Sequence, residues 1–436
     1  MEKKFELTPQ QKAVVTDRGG NLLVAAAAGS GKTKVLVDRI MERVCNENQN
    51  ITDFLVITYT KAAATELRAK ITAELSKRLA ASPNNKHLQN QMHLVYGAQI
   101  STVHSFCANL LRTYAAMADL APDFRVMEEQ ESRVMKADVM EDLLEHIYAN
   151  LDKHENIKAF IEELAFGRDD SAVPAITYGV YDTVQSHPWR MEWVKQCLSN
   201  MDVRKFSDAA ETPWGKYLID NAKSYIRSQL PLVELAIELC EADEALSAAY
   251  TETLQADYRK LFDITCAVTW NDMVVAKDVV WGRLKPVKKT EQVSILTKER
   301  IRELRDKYKL AVKNKLQAFD AMSDTVLNDL SKTEASINGV FELVKLFTTR
   351  YSAKKRSNNV VDFSDLEHMT IHLLLDPKTH ERTEVAADIS KNYCEIMVDE
   401  YQDSNGVQET IFEAISTGSN RFMVGDVKQS IYKFRL

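Results

Sequence analysis

The sequence runs to 436 residues, 45% hydrophobic and 27% charged, the balance of a globular protein with room for about two or three domains. It holds no run of about eighteen apolar residues, so no helical membrane span is expected, and residues 1–6 lead into no apolar signal-like stretch, so no secretory signal is expected. Six cysteines lie far apart without a Cys-x-x-Cys pair, which argues against zinc or iron–sulfur chemistry and suits a reducing cytoplasm; a net charge of -7 lends nucleic-acid binding no support, although a basic groove can sit on an acidic protein.

Thr8 as N-cap and Pro9 at the first helical position predict a helix with Gln11 in its first turns. A glutamine amide both donates and accepts, which suits an adenine edge; taken alone, Gln11 reads better as a surface side chain. Residues 21–25 (NLLVA) read as a buried parallel strand, and residues 34–40 have helical spacing. Between them lie Ala26, Ala27, Ala28, Gly29, Ser30, Gly31, Lys32 and Thr33, a phosphate-loop pattern with Ala26 where the pattern begins with Gly. Small residues let backbone N–H groups approach a phosphate, Lys32 reaches the β- and γ-phosphates, and the Thr33 hydroxyl joins a Mg²⁺ shell. An ordinary glycine-containing turn fits the same few residues.

Residues 53–58 form a second apolar run, followed by Tyr59, Thr60 and Lys61 and a helix with Ala63, Leu67, Ile71 and Leu75 on one face and Lys61, Arg68 and Lys70 exposed. Hydroxyls and a lysine at a strand end suit a phosphodiester backbone, and Thr60 equally suits a helix cap. A third strand over 99–104 carries Thr102, His104 and Ser105 at its end, with a helix from Phe106 to about Met117; His104 is either a core or capping histidine or a DNA contact. Residues 124–127 read as another short strand. From about Glu128 to Arg350 the pattern turns to polar-rich helices, broken near Pro188, Pro213 and Pro286. Val312, Leu316, Phe319, Met322 and Val326 predict one long helix, and Lys285/Lys288/Lys289 and Lys354/Lys355/Arg356 are basic clusters on solvated faces or against phosphates.

The α/β pattern resumes at 360–366, with an apolar helix through Leu375, and a strand over 394–398 ends in Asp399, Glu400, Tyr401, Gln402 and Asp403. An acid pair at a strand end beside a phosphate loop has a specific use: Asp399 holds the Mg²⁺ shell and Glu400 orients and deprotonates the attacking water. The last strand, 421–424, enters a stretch in which Gln429 reports on the γ-phosphate. There Tyr432 and Phe434 beside Lys433 and Arg435 suit stacking on unpaired bases or, alternatively, core packing.

The ordered set LTPQQ (7–11), AAAAGSGKT (25–33), TYTKAAATELRAKI (58–71), STVHSFC (101–107), VDFSDL (361–366), VDEYQD (398–403) and VGDVKQSIYKFRL (424–436) resembles superfamily 1A DNA helicases of the UvrD/Rep type. Within them it is most similar to the A subunits of AddAB (RexAB) helicase–nucleases. The resemblance implies an α/β fold, a RecA-like P-loop NTPase domain (1A) with a parallel sheet over 1–127 and 351–436, interrupted by a large, mostly helical 1B insertion over 128–350. It implies ATP and Mg²⁺ as ligands. Gln11, Ala28, Gly29, Ser30, Gly31, Lys32, Thr33 and Gln402 fall in the nucleotide site, and Thr33 and Asp399 at the metal. Lys32, Asp399, Glu400 and Gln429 take catalytic roles, and Thr60, Lys61, His104, Tyr432, Phe434 and Arg435 fall where the family meets single-stranded DNA. Tyr401 stands where many relatives carry Phe. Implied too are 3′→5′ translocation and duplex unwinding in double-strand break repair, a cytoplasmic location and, as partner, a nuclease B subunit. The family's second RecA-like domain, with its γ-phosphate arginines, and the nuclease domain are absent from this sequence, so weak turnover is expected of it alone. Rival readings are a DNA-binding half-motor without turnover and an unrelated P-loop phosphotransferase.

Overall fold

Runs of aliphatic residues bounded by turn-forming loops build a five-stranded, all-parallel sheet in the computed structural model, which describes residues 7–27, 29–164, 171–287, 294–426 and 428. The strands are β1 Leu22–Ala25, β2 Phe54–Thr58, β3 Gln99–Thr102, β4 Arg125–Val126, β5 Val360–Val361, β6 Glu395–Val398 and β7 Arg421–Gly425. The sheet order is β1-β7-β6-β2-β3, with Val24 opposite Val424 and Val56 opposite Met397; β4 and β5 form a separate parallel pair.

Successive residues of a strand point to opposite faces, and both faces are covered. Leu55 and Ile57 of β2 pack with Val103, Leu366, Ile371 and Ile411, from helices Val103–Thr113, Phe363–Leu374 and Gly406–Ala414. Phe54 and Val56 pack with Leu36, Ile40, Leu67 and Ile71, from helices Lys32–Asn46 and Lys61–Ala81. Double coverage explains why β2 and β6 are buried throughout. β1 departs from the expectation of a buried strand. It lies at the sheet edge among the described residues, and Leu23 is 61% exposed.

Buried ions tie helices to the sheet. Glu395, which opens β6, accepts from Arg39 at 2.6 Å and pairs with Arg43 at 3.1 Å; the Arg39 guanidinium also lies over the Phe422 ring. Lys355 corrects the reading of a basic cluster on a solvated face: it is buried, with Nζ 2.8 Å from Asp362 and 2.6 Å from Asp365. Asp362 also caps helix Phe363–Leu374 in a reciprocal box with Asp365, so VDFSDL is in part a cap and an internal ion cluster. Arg68, expected exposed, donates to the carbonyls of Val95, Ala98 and Ile100, and Ala64 rather than Ala63 is the buried alanine.

Contacts divide the chain into two units, one comprising Met1–Lys153, Gly167–Trp193 and Phe341–Leu436, the other His154–Phe166 and Val194–Val340. The second holds helices and no strand among its described residues, with helices Pro213–Arg227, Leu230–Glu241, Glu244–Thr265 and Ile295–Lys315 around a core that includes Ile226, Val233, Leu261, Trp270 and Tyr308. At its centre Asp257 accepts from Arg305 and Tyr308, each at 2.7 Å. The expected single helix through Val312 and Val326 is two. Helix Ile295–Lys315 ends in the turn Leu316–Ala318, and Ser323–Ser357 begins afterwards. The corner is pinned where Trp270 donates to the Ala321 carbonyl, Ser323 N–H donates to Asn271, and the Ser323 hydroxyl accepts from Ala209 N–H. Lys285 pairs with Glu252, while Lys288 and Lys289 lie outside the described residues. Among the described residues no helix is long and apolar enough to cross a membrane.

Candidate functional site

The C-terminal ends of β1, β6 and β7 meet at the loop that opens helix Lys32–Asn46. Ala26 N–H donates to the Gly425 carbonyl at 3.0 Å, continuing the β1–β7 pairing into the loop. Gly29 and Gly31 have φ of 73° and 86°, the left-handed region that L side chains rarely adopt. Gly31 is the N-cap and offers no side chain to the first helical N–H groups. That leaves donors and the positive end of the helix dipole aimed at the loop, the arrangement that receives an anion. Gln11 ties the first helix to the loop. Its Oε1 accepts from Thr8 N–H, its own N–H donates to the Thr8 hydroxyl, and its Nε2 donates to the Ser30 carbonyl at 2.9 Å. Ala28 lies outside the described residues.

Asp399 follows β6, its N–H donating to the Ile57 carbonyl at 3.0 Å. It is 8% exposed and makes no ion pair among the described residues, so burial first, and the Glu400 charge second, push its carboxyl above the ordinary range. Glu400 sits at φ 54°, uncommon for a residue with a side chain, and its N–H donates to Asp399 Oδ1. The turn aims the Glu400 carboxylate back at the loop, where Oε2 accepts from Lys32 Nζ at 3.2 Å and Gln402 Nε2 at 2.7 Å. Gln402 Oε1 in turn accepts from Asp426 N–H at 2.9 Å. Gly425 makes room for this link, since a Cβ there would stand 2.7 Å from Gln402 Oε1. Thr33, Asp399 and Glu400 line one cleft.

This donor set fits a hard divalent cation. A buried carboxylate lacking a cation and a hydroxyl are oxygen ligands, and Mg²⁺ takes one or two such protein groups with water and phosphate completing its shell. Among the described residues no three His, Cys, Asp or Glu side chains converge to hold a metal by themselves.

The cleft, about 1180 Å³, also reaches the ends of β2 and β3. Thr60 caps helix Lys61–Ala81 by accepting from Ala63 N–H at 3.0 Å, and Lys61 is exposed in its first turn. β3 ends at Thr102, which caps helix Val103–Thr113, so His104 lies in the first turn of that helix rather than at a strand end. Its Nε2 is 3.3 Å from Glu367 Oε1 and its ring centroid 4.6 Å from that of Phe363. Phe363, 44% exposed in the cleft wall, was not singled out from the sequence; an aromatic directly after the cap residue Asp362, ahead of the buried stripe of its helix, is the signal that marks it. Gln429, Tyr432, Lys433, Phe434 and Arg435 lie outside the described residues.

The family model for the UvrD/REP helicase N-terminal domain matches residues 7–436. The A subunit of an ATP-dependent helicase/nuclease from Lachnoclostridium phytofermentans is 36% identical over 449 residues, covering 99% of this chain and 32% of that protein. The corresponding A subunits from Geobacillus kaustophilus and Clostridium botulinum are 36% and 33% identical, each covering 98% of this chain and 35% of the relative. The chain spans about a third of the length of these curated relatives.

Proposed function

The chain belongs to the UvrD/REP helicase N-terminal domain family, and from that premise we propose that it is the ATP-binding motor domain in the A subunit of a helicase/nuclease. In this reading residues 1–127 and 351–436 form a RecA-like 1A domain and residues 128–350 a helical 1B insertion. The observation that carries the reading is the constellation at the strand ends: Lys32 on Glu400, Glu400 on Gln402, Gln402 on Asp426, and a buried Asp399 beside them.

ATP sits with its phosphates on the N–H groups of the Gly29–Gly31 turn and its base at the Gln11 amide. Lys32 leaves the Glu400 carboxylate for the β- and γ-phosphates, and the freed carboxylate accepts a proton from the attacking water. Thr33 and Asp399 hold Mg²⁺, which neutralises phosphate charge when bound. Gln402, bonded to both Glu400 and the end of β7, registers where Glu400 points. Single-stranded DNA lies across the cleft over Thr60, Lys61, His104 and the exposed Phe363 ring, with Tyr432, Phe434 and Arg435 completing the contact and Gln429 sensing the γ-phosphate. In the whole protein, hydrolysis drives 3′→5′ translocation and unwinding in break repair, in the cytoplasm, together with a nuclease B subunit.

Nucleotide titration and ATP turnover, each with and without single-stranded DNA and each repeated on Lys32→Ala, test the reading. Lys32-dependent nucleotide binding is expected. A chain that binds no nucleotide overturns it.

A further inference from the structure

Glu367 is a buried carboxylate that the reading above does not use. It lies on helix Phe363–Leu374; its Oε1 accepts from Gln408 Nε2 at 2.7 Å and stands 3.3 Å from His104 Nε2, a close charge contact. Beyond Gln408 the bonds continue. Gln408 Oε1 accepts from the Tyr59 hydroxyl at 3.3 Å, and the Tyr59 oxygen lies 2.5 Å from the Ser404 hydroxyl. The donor directions are consistent, with Ser404 donating to Tyr59, Tyr59 to Gln408, and Gln408 to Glu367. Burial holds the Tyr59 phenol protonated. Ser404 closes the turn that Glu400 opens: Asp403 N–H donates to the Glu400 carbonyl, and Ser404 N–H to that of Tyr401. Asn405 then caps the helix that carries Gln408. A hydrogen-bonded series therefore runs from the turn after Glu400 to Glu367, and the 3.3 Å contact carries it on to the histidine in the cleft.

Burial decides that this series matters. A buried carboxylate is costly unless its lone pairs are filled, and a buried network is stable only when each member is satisfied. A displacement of the 401–404 turn on nucleotide binding must therefore be answered at Gln408 and Glu367, and through them at His104. Resting on the ATP-dependent DNA-motor reading, we propose that Glu367 is a positioning residue, joining His104 through Gln408 and Tyr59 to the turn after Glu400, so that nucleotide occupancy sets the grip of His104 on single-stranded DNA.

The test measures a coupling factor, the ratio of dissociation constants for a fluorescein-labelled oligothymidylate with and without Mg²⁺ and a non-hydrolysable ATP analogue. A fluorescent ATP analogue reports nucleotide affinity separately. The unaltered chain is expected to show a factor of about 5- to 150-fold, the usual span of linked sites. Glu367→Ala is expected to bring that factor to within about two-fold of unity with nucleotide affinity nearly unchanged, which a merely structural loss does not do. Glu367→Gln keeps most of the factor, because its amide oxygen still accepts from Gln408 and stays beside His104. Should Glu367→Ala fail to fold, Gln408→Leu interrupts the series at another joint and reads the same ratio. An undiminished factor in the folded variant, or an unaltered chain that binds both ligands without any coupling, overturns the relay while leaving the motor reading in place. A chain that binds neither ligand removes both.

Discussion

The two ends of β6 carry an acid each, and the acids are treated in opposite ways. Glu395 at the start is locked by Arg39 and Arg43, buried ion pairs that clamp helix Lys32–Asn46 to the strand. Asp399, just past the other end of the same strand, is equally buried and has no cation of its own among the described residues. Glu400 beside it holds Lys32 only through a half-exposed pair. A paired acid is scaffold. An unpaired one at a strand end, beside the acid that holds Lys32, marks a candidate site.

The largest effect that sharpens this contrast is expected at the locked end. Glu395→Ala strands two buried guanidinium groups and should cost about 3–5 kcal/mol of unfolding free energy in urea melts; a cost near zero would erase the distinction. At the open end Lys32→Ala should weaken nucleotide binding by about 100-fold or more, by titration, while its half-exposed partner Glu400 limits the stability change to about 1 kcal/mol. Gly425→Ala drives a Cβ against Gln402, so a loss of about 1–3 kcal/mol and slower turnover than in the unaltered chain are expected from melting and steady-state assays. The smallest effect has the opposite sign. Because the folded-state pKa of Asp399 is raised, its ionised form costs stability at neutral pH, so Asp399→Asn should gain about 1 kcal/mol there while losing Mg²⁺-dependent nucleotide binding. That gain should shrink as pH falls through the raised value toward the ordinary aspartate value near ~3.9, where both forms of the protein carry a neutral side chain; melts across pH would show it.

By itself the sequence determined the parts whose causes are local. A continuous apolar run set β2 as a doubly covered strand; Gly29, Gly31, Lys32 and Thr33 set the glycine loop at a helix start; and Asp399 with Glu400 at a strand end set the acid pair. Each of these signals lies within a few residues of what it predicts. Tertiary structure alone decided the partners. Arg39 meets Glu395 across 356 positions, and Lys32 meets Glu400 across 368. Arg68 and Lys355, read from local charge as surface residues, are claimed by carbonyls and carboxylates that other elements bring to them. The exposure of Leu23 and the break before Ser323 were hidden for the same reason. Periodicity reports that a face is apolar, whereas sheet order and the hydrogen bonds at a corner decide what covers it and where a helix must stop.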